Sequence, residues 1–161
     1  MNKYICAFDN GVSACWSIFN TKGNALFYEH VSLKKQVDYT GKGNINRIDT
    51  FKLSKLLEQY GDSIAILEYP YKNPAQFKTT CSAMRSLEAV VITLEEYGMP
   101  IKYITAKEWQ KVLLPGVKGR PALKKASMEL GLKLFPQYEK LIKKERDADG
   151  LLIGYYAWRY L

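Results

Sequence analysis

Apolar positions along the chain form two kinds of pattern: short runs rich in β-branched and aromatic residues, and longer stretches with helical spacing. The short runs predict strands at 3–9, at 14–19 and in one further segment before about residue 33, then at 63–68 and 101–104. The longer stretches predict helices at about 46–60, at about 81–97 and over most of the chain after 104. Strands that come first and then alternate with helices are typical of an α/β domain with a mixed sheet.

Two of the predicted strands end at a carboxylate. The first run closes on Asp9, and the small residues 10–13 then predict a turn. The run 63–67 closes on Glu68, and the segment 69–74 that follows contains two prolines. We therefore expect both acids at the carboxyl ends of strands.

Further acids lie in the C-terminal segment, which contains no proline from about Lys144 to Leu161 and is predicted to form a helix. At 100° per residue, Glu145 lies within about 60° of Asp149, whereas Asp147 falls on the far side. Acids on a face that packs against a sheet are costly unless they are paired, protonated or bound to metal. Glu145 and Asp149 therefore predict a partner for their charge.

Carboxylates converging from two strand ends and a helix would bind hard divalent cations through oxygen. Each acid alone is more often a solvated cap or turn residue than a ligand. The joint placement of Asp9, Glu68, Glu145 and Asp149 favours a metal site.

Four short motifs stand in order along the chain. They are Asp9-Asn-Gly-Val-Ser13, Leu67-Glu68, the stretch from Lys107-Glu-Trp-Gln-Lys111 to Leu114-Pro-Gly116, and Asp147-Ala-Asp-Gly-Leu-Leu152. In order and spacing they resemble the RuvC-like Holliday junction resolvases, especially the small bacteriophage and poxvirus branch. The resemblance covers nearly the whole chain. It implies a ribonuclease H-like fold, with a mixed central sheet of about five strands flanked by helices, in a single nuclease domain, 1–161.

The resemblance also implies a set of catalytic residues. Asp9 and Glu68 match the first two carboxylates of the family, and Asp149 matches the last. The fourth acid of the family precedes the last by three or four residues. Because Arg146 stands at the third position back, we assign Glu145, with Asp147 as the alternative. The site would hold two Mg²⁺ ions, for which Mn²⁺ would substitute, and a basic residue, with Lys124 the first choice, would assist catalysis.

Basic residues exceed acidic ones by 24 to 16, which gives a formal net charge of +8. Many of them crowd the segment 102–133, which is either a solvated face or a DNA-binding surface. Exposed-looking aromatic and basic residues also follow Glu68, and they would either stack on unpaired bases or pack under a loop. The predicted DNA contacts are Tyr71, Lys72, Phe77, Lys78, Lys107, Lys111, Lys118, Arg120, Lys124 and Lys125. Lys34, Lys35 and Lys42 would add to them if their segment lies on the same side.

We therefore interpret the sequence as that of a metal-dependent endonuclease that resolves four-way or related branched DNA as a homodimer. We expect no nucleotide cofactor and no membrane partner, because the sequence contains neither a glycine-rich phosphate loop nor a membrane span. Scattered cysteines and the lack of a secretory signal predict a cytoplasmic protein. Two alternatives are another ribonuclease H-like nuclease, cutting flaps, branches or RNA–DNA hybrids, and a non-catalytic DNA-binding module in which the cation of Arg146 replaces metal charge.

Overall fold

The computed structural model describes residues 3–161, and a five-stranded mixed sheet forms its centre. The strands in chain order are β1 Tyr4–Phe8, β2 Cys15–Asn20, β3 Ala25–His30, β4 Leu33–Val37, β5 Asn44–Ile48, β6 Ser63–Glu68 and β7 Ile101–Ile104. The central sheet has the order β3-β2-β1-β6-β7, whereas β4 and β5 form a separate two-stranded hairpin. β1, β2 and β3 pair antiparallel, and β6 pairs parallel with both β1 and β7. The prediction of an α/β fold with a mixed sheet of about five strands is confirmed.

Helices cover both faces of the central sheet. They are α1 Thr50–Glu58, α2 Phe77–Glu96, α3 Ala106–Leu113, α4 Arg120–Leu134, α5 Glu139–Glu145 and α6 Asp149–Tyr160, with single 3-10 turns at Pro74–Gln76 and Pro136–Tyr138. None of the helices in the described residues is long and apolar enough to cross a membrane.

Successive side chains along each strand point to opposite faces of the sheet, where they pack into two hydrophobic layers. On β1, Cys6 and Phe8 point into the layer covered by α1 and α2. Ala7 points into the opposite layer, which contains α6 and residues of α3, α4 and α5. Cys6 is buried in this core.

Helix α6 lies unusually close to the sheet because two of its residues have no side chain. A Cβ at Gly150 would collide with the backbone oxygen of Cys15, and a Cβ at Gly154 would collide with the ring of Phe19. The hydroxyl of Ser17, on β2, donates a hydrogen bond of 2.7 Å to the carbonyl oxygen of Gly150. This contact fixes the start of α6 against β2.

Two predicted helix starts are wrong. The helix predicted from about residue 46 begins at Thr50, because 44–48 pair with β4 and Asp49 caps the helix by accepting a hydrogen bond from the Lys52 amide at 3.3 Å. The helix predicted from about residue 81 begins at Phe77, directly after a 3-10 turn.

The predicted continuous helix at 144–161 is also wrong. Helix α5 ends at Glu145, Arg146 adopts a left-handed conformation with φ of 58°, and α6 begins at Asp149. A left-handed non-glycine residue costs about 1–2 kcal/mol. Tertiary contacts compensate here, since the Ala148 amide donates to the buried hydroxyl of Ser127 at 3.1 Å.

Candidate active site

Strand register brings Asp9 and Glu68 together. Phe8 pairs with Leu67 in the parallel ladder between β1 and β6, so the two acids that follow in sequence lie side by side at the same edge of the sheet. In addition to burial, the charge of Glu68 raises the pKa of the neighbouring Asp9 carboxyl. The loop after Asp9 is tied down separately, because the side-chain amide of Asn10 donates to the carbonyl oxygen of Ala83 on α2 at 3.1 Å.

Helix α6 presents Asp149 to the same edge. Its carboxylate accepts a hydrogen bond from the hydroxyl of Ser127, which also accepts the Ala148 amide. Ser127 lies on α4 and is only 1% exposed. The conformation of Asp149 is therefore set by a neighbouring helix as well as by its own.

A buried tryptophan orients Glu68. The indole N–H of Trp109, on α3, donates a 2.8 Å hydrogen bond to Oε1 of Glu68. Trp109 is fully buried, so its ring is held by the packing of α3 against the sheet layer that contains α6. Such a donor fixes the orientation of a carboxylate while leaving its second oxygen free.

The electrostatic environment of these acids disfavours their charged forms. Burial raises the pKa of Asp9 far above its usual range, and the charges of Glu68 and Asp149 raise it further. Burial also raises the pKa of Glu68, which the Trp109 hydrogen bond partly offsets. The pKa of Asp149 rises to about 7, mainly by burial and partly by the charge of Asp147, against the lowering effect of the Ser127 hydrogen bond.

Asp147 is the fourth acid whose charge acts on this group. Its negative charge raises the pKa of Asp9, Glu68 and Asp149. Its Oδ2 lies 3.3 Å from Nζ of Lys124, whose positive charge in turn lowers the pKa of Asp149. We refer to Asp9, Glu68, Asp147 and Asp149 as the acidic cluster.

Glu145 lies differently from the expectation. It is the last residue of α5, separated from Asp149 by the break between α5 and α6 at Arg146, and its Oε1 lies 3.5 Å from Nζ of Lys144. The geometric reason for choosing Glu145, a shared helical face with Asp149, is therefore wrong. The predicted neighbour Lys124 does approach the acids, through its ion pair with Asp147.

The acidic cluster has the donor chemistry that a divalent cation requires. Carboxylate oxygens are hard ligands, and a bound cation would favour the charged forms that burial and mutual repulsion disfavour. Within residues 3–161, no group of three or more His, Cys, Asp or Glu side chains is arranged so that it could hold a metal ion. The cluster supplies ligands of the right kind at one edge of the sheet, but their side chains are not in a metal-binding arrangement.

Comparison with known proteins bears on the fold. No family model matches the chain, and no curated protein matches it in sequence. Among solved structures, RuvC of Thermus thermophilus in complex with a Holliday junction substrate matches with a TM-score of 0.63 at 17% identity, covering 97% of this chain and 95% of that one. A second T. thermophilus RuvC structure matches with a TM-score of 0.53 at 14% identity, covering 96% and 95%. The fold is RuvC-like. The ribonuclease H-like architecture expected from the sequence is therefore confirmed.

In this RuvC-like fold, part of the predicted basic surface borders a single groove between α3 and α4. The groove is lined by Lys107, Gln110, Lys111, Leu114, Pro115, Gly116, Val117, Lys118 and Leu123. Arg120 is exposed at the start of α4. Lys125 is exposed one turn later and pairs with Glu129 at 3.9 Å. We call the groove between α3 and α4 the basic groove.

The aromatic residues after Glu68 are exposed and are not packed under a loop. Tyr71 is 83% exposed and Phe77 is 73% exposed. The ammonium of Lys72 lies 5.2 Å from the centre of the Tyr69 ring. Phe77 and Lys78 line a second groove, away from the residues that form the basic groove.

Sequence reasoning did not identify Trp109 or Ser127 as parts of the site. Trp109 belongs to a motif that carried the family resemblance, and that was its only signal. Ser127 had no signal beyond a small polar residue on the buried side of a helix. Both act through hydrogen bonds to residues 41 and 22 positions away, which local sequence patterns do not reveal.

Proposed function

We propose that this chain is a metal-dependent, structure-selective endonuclease that resolves four-way DNA junctions or related branched DNA. The observation that carries the proposal is the acidic cluster at the edge of a RuvC-like sheet, with Lys124 beside it. We further propose that residues 1–161 act as one nuclease domain of the small bacteriophage and poxvirus branch.

The proposed ligands are the four members of the acidic cluster, with Asp147 in place of Glu145. Two divalent ions held there, Mg²⁺ or Mn²⁺, would activate a water for attack on a phosphodiester and stabilise the leaving 3′ oxygen. Asp9 follows β1, the central strand of the sheet, and the charges of the three other acids all act on it, so its loss should be the most damaging. Trp109 and Ser127 would hold Glu68 and Asp149 in their orientations.

We propose that Lys124 is the basic residue that assists catalysis. Its ammonium pairs with Asp147 and acts on Asp149, so it lies at the rim of the acidic cluster. Because its side chain is about half exposed, it is free to turn from Asp147 towards a phosphate oxygen. The basic groove would then carry the DNA backbone that leads to the site.

A homodimer is part of the proposal because symmetric cleavage of a four-way junction needs two sites related by a twofold axis. Helix α2 offers a surface for it, since Ile92, in the C-terminal third of the helix, is 50% exposed. Light scattering of wild type and Ile92→Glu would test this assignment. A wild-type monomer would contradict it.

The deciding experiment is cleavage of a labelled four-way junction, with duplex, flap and RNA–DNA hybrid controls, in Mg²⁺ and in Mn²⁺. Wild type is compared with Asp9→Asn, which keeps the size of the side chain and removes its charge. Paired symmetric nicks that disappear in Asp9→Asn would support the proposal. Preferred cutting of flaps or hybrids would indicate another ribonuclease H-like nuclease, and tight junction binding without cutting would indicate a binding module.

A further inference from the structure

The hairpin formed by β4 and β5 is not part of the central sheet, and it rests on α2. Leu33 and Ile48 at its base are buried or partly buried in the layer covered by α1 and α2. At its tip, Oδ1 of Asp38 accepts hydrogen bonds from the backbone amide of Thr40 at 2.9 Å and from its hydroxyl at 2.7 Å. The hairpin is therefore a built element with its own turn, anchored to the core at one end.

The hairpin carries a charge pattern that works against its own stability. It contains four basic residues, Lys34, Lys35, Lys42 and Arg47, and one acid, Asp38. Lys34 lies directly opposite Arg47 in the antiparallel ladder, although like charges in that position are destabilising. Arg47 donates a 3.0 Å hydrogen bond to Gln36, whereas no acidic side chain in the described residues forms an ion pair with either cation. An anion bound from outside would relieve the repulsion.

A groove of about 400 Å³ opens between the hairpin and the first half of α2. It is lined by Val12, Ile45, Asn46, Phe77, Lys78, Cys81, Ser82 and Arg85. Phe77 offers a largely exposed ring, Asn46 offers an amide, and Lys78 and Arg85 offer cations. We call it the hairpin groove. An aromatic face beside cations is the combination with which proteins bind unpaired nucleotides.

The loop after β1 links one wall of the hairpin groove to Asp9 of the acidic cluster. Val12 lines the groove and stands three residues after Asp9. The neighbouring Asn10 is hydrogen-bonded to the backbone of Ala83, on the same stretch of α2 that lines the groove. On the tip side, the Arg85 guanidinium lies 5.9 Å from the centre of the Tyr39 ring, which ties the hairpin to α2. A strand lying in the groove would therefore pass beside the loop that follows Asp9.

We propose that the hairpin and the hairpin groove form a second DNA-binding element, which holds a single-stranded stretch next to the cutting site. The inference rests on the proposed nuclease function and adds a surface separate from the basic groove. Phe77 would stack on a base, Lys78 and Arg85 would contact its phosphates, and Lys34 and Arg47 would contact the backbone further along the strand. The substrate would then contain unpaired nucleotides beside the cut, as an opened junction or a gapped branch does.

The test measures binding, without metal and in EDTA, of a fluorescent oligothymidine of about twelve nucleotides, within the range of single-strand site sizes. Wild type is compared with Lys34→Gln/Arg47→Gln and with Phe77→Ala. Lys22→Gln is the matched control, because Lys22 is exposed in the turn between β2 and β3, at the end of the sheet opposite Asp9. Thermal unfolding checks that each variant is folded.

The double variant should bind the oligothymidine about tenfold more weakly and lower the slope of log K against log salt by about 1.4, since each single-strand phosphate contact contributes about 0.7. Phe77→Ala should weaken binding by roughly tenfold, which is about 1.4 kcal/mol and lies within the range for loss of one stacking contact. Lys22→Gln should leave both quantities unchanged. Equal affinities and slopes in wild type and the folded double variant would overturn the inference.

Junction cleavage by the same proteins separates this inference from the proposed function. If wild type cuts junctions but the double variant binds oligothymidine as tightly as wild type, the nuclease proposal stands and the hairpin is not a binding element. Wild type that binds oligothymidine through the hairpin but cuts no DNA would support the binding element and contradict the nuclease.

Discussion

The acidic cluster is built from two pairs of acids that reach the same place by different means. Asp9 and Glu68 arrive through the backbone, because each follows a paired residue of the parallel ladder between β1 and β6. Asp147 and Asp149 arrive through packing, because α6 is pressed against β2 and α4 supplies the hydroxyl that holds their turn. One pair therefore depends on strand register, and the other depends on tertiary contacts between distant segments.

The difference identifies which half of the site is sensitive to changes elsewhere in the molecule. A strand end tolerates substitutions in the helices as long as the ladder is intact. The turn at 146–148 holds a left-handed arginine and persists only while its contacts outweigh that strain. We expect variants remote in sequence to move Asp147 and Asp149 more easily than Asp9 and Glu68.

The largest expected effect distinguishes Asp147 from Glu145. Asp147→Asn should lower the rate of junction cleavage by about a hundredfold or more, a loss of roughly 2.7 kcal/mol of transition-state stabilisation. Glu145→Gln should change it less than about threefold, because Glu145 lies at the end of α5 beside Lys144 and not on α6 with Asp149. Single-turnover kinetics at saturating Mg²⁺ measures both. A larger loss in Glu145→Gln would restore the assignment made from the sequence.

The second prediction concerns Asp9 and Glu68, the pair of acids positioned by strand register. Trp109→Phe keeps an aromatic ring but removes the N–H that Glu68 accepts, and losing such a supporting hydrogen bond typically costs about 10–100-fold in metal affinity. The Mg²⁺ dependence of cleavage and calorimetric Mn²⁺ binding would both report it. Trp158→Phe is the matched control, because Trp158 donates instead to the Thr21 carbonyl oxygen at 3.1 Å, at the far end of the sheet. Equal metal affinities in the two variants would contradict the orienting role of Trp109.

The third prediction tests the packing that carries the other pair. Gly150→Ala places a methyl group against the Cys15 backbone oxygen, so it should lower the free energy of unfolding by about 1–3 kcal/mol and displace Asp149. Gly61→Ala is the control, since a Cβ there meets nothing within 4 Å. Only Gly150→Ala should unfold at a lower urea concentration than wild type and cleave junctions more slowly. A fully stable, active Gly150→Ala protein would show that α6 is free to shift.

The smallest effect is a pH dependence of the metal-free protein. The pKa of Asp149 is raised from 3.8 to about 7 on folding, so the folded state binds more protons than the unfolded state between these values. The Asp149 carboxyl therefore contributes to the free energy of unfolding in full below about pH 4, and this contribution is lost as the pH rises to about 7. In the window from pH 5 to 7.5, Tm in EDTA should fall by a few degrees more in wild type than in Asp149→Asn, since about 1 kcal/mol corresponds to several degrees. Added Mg²⁺ should raise Tm at pH 7.5 in wild type, and an identical pH slope in both proteins would contradict the raised pKa.

Much of the site was predictable because its strand half follows local rules. Apolar runs that close on Asp9 and Glu68, each before a turn, indicated two carboxylates at one sheet edge, and the register of β1 and β6 agrees. Asp149 was predictable from its motif, and Lys124 was a first choice that the structure brings to Asp147. The position of Asp147 in the acidic cluster was not predictable from periodicity, because the assumed helix contains a break.

The sequence by itself determined the class of fold, the strands that end in acids and an excess of positive charge, because these depend on residue type and on periods of two or about four residues. Only the tertiary structure decided the break at Arg146, the strand identity of 44–48 and the partners of the acids. Each of these depends on contacts between segments far apart in the chain: Ser127 with Ala148, β5 with α2, and Trp109 with Glu68. Such contacts override local propensity because burying and satisfying polar groups is worth more than the small preference of a single residue for one backbone conformation.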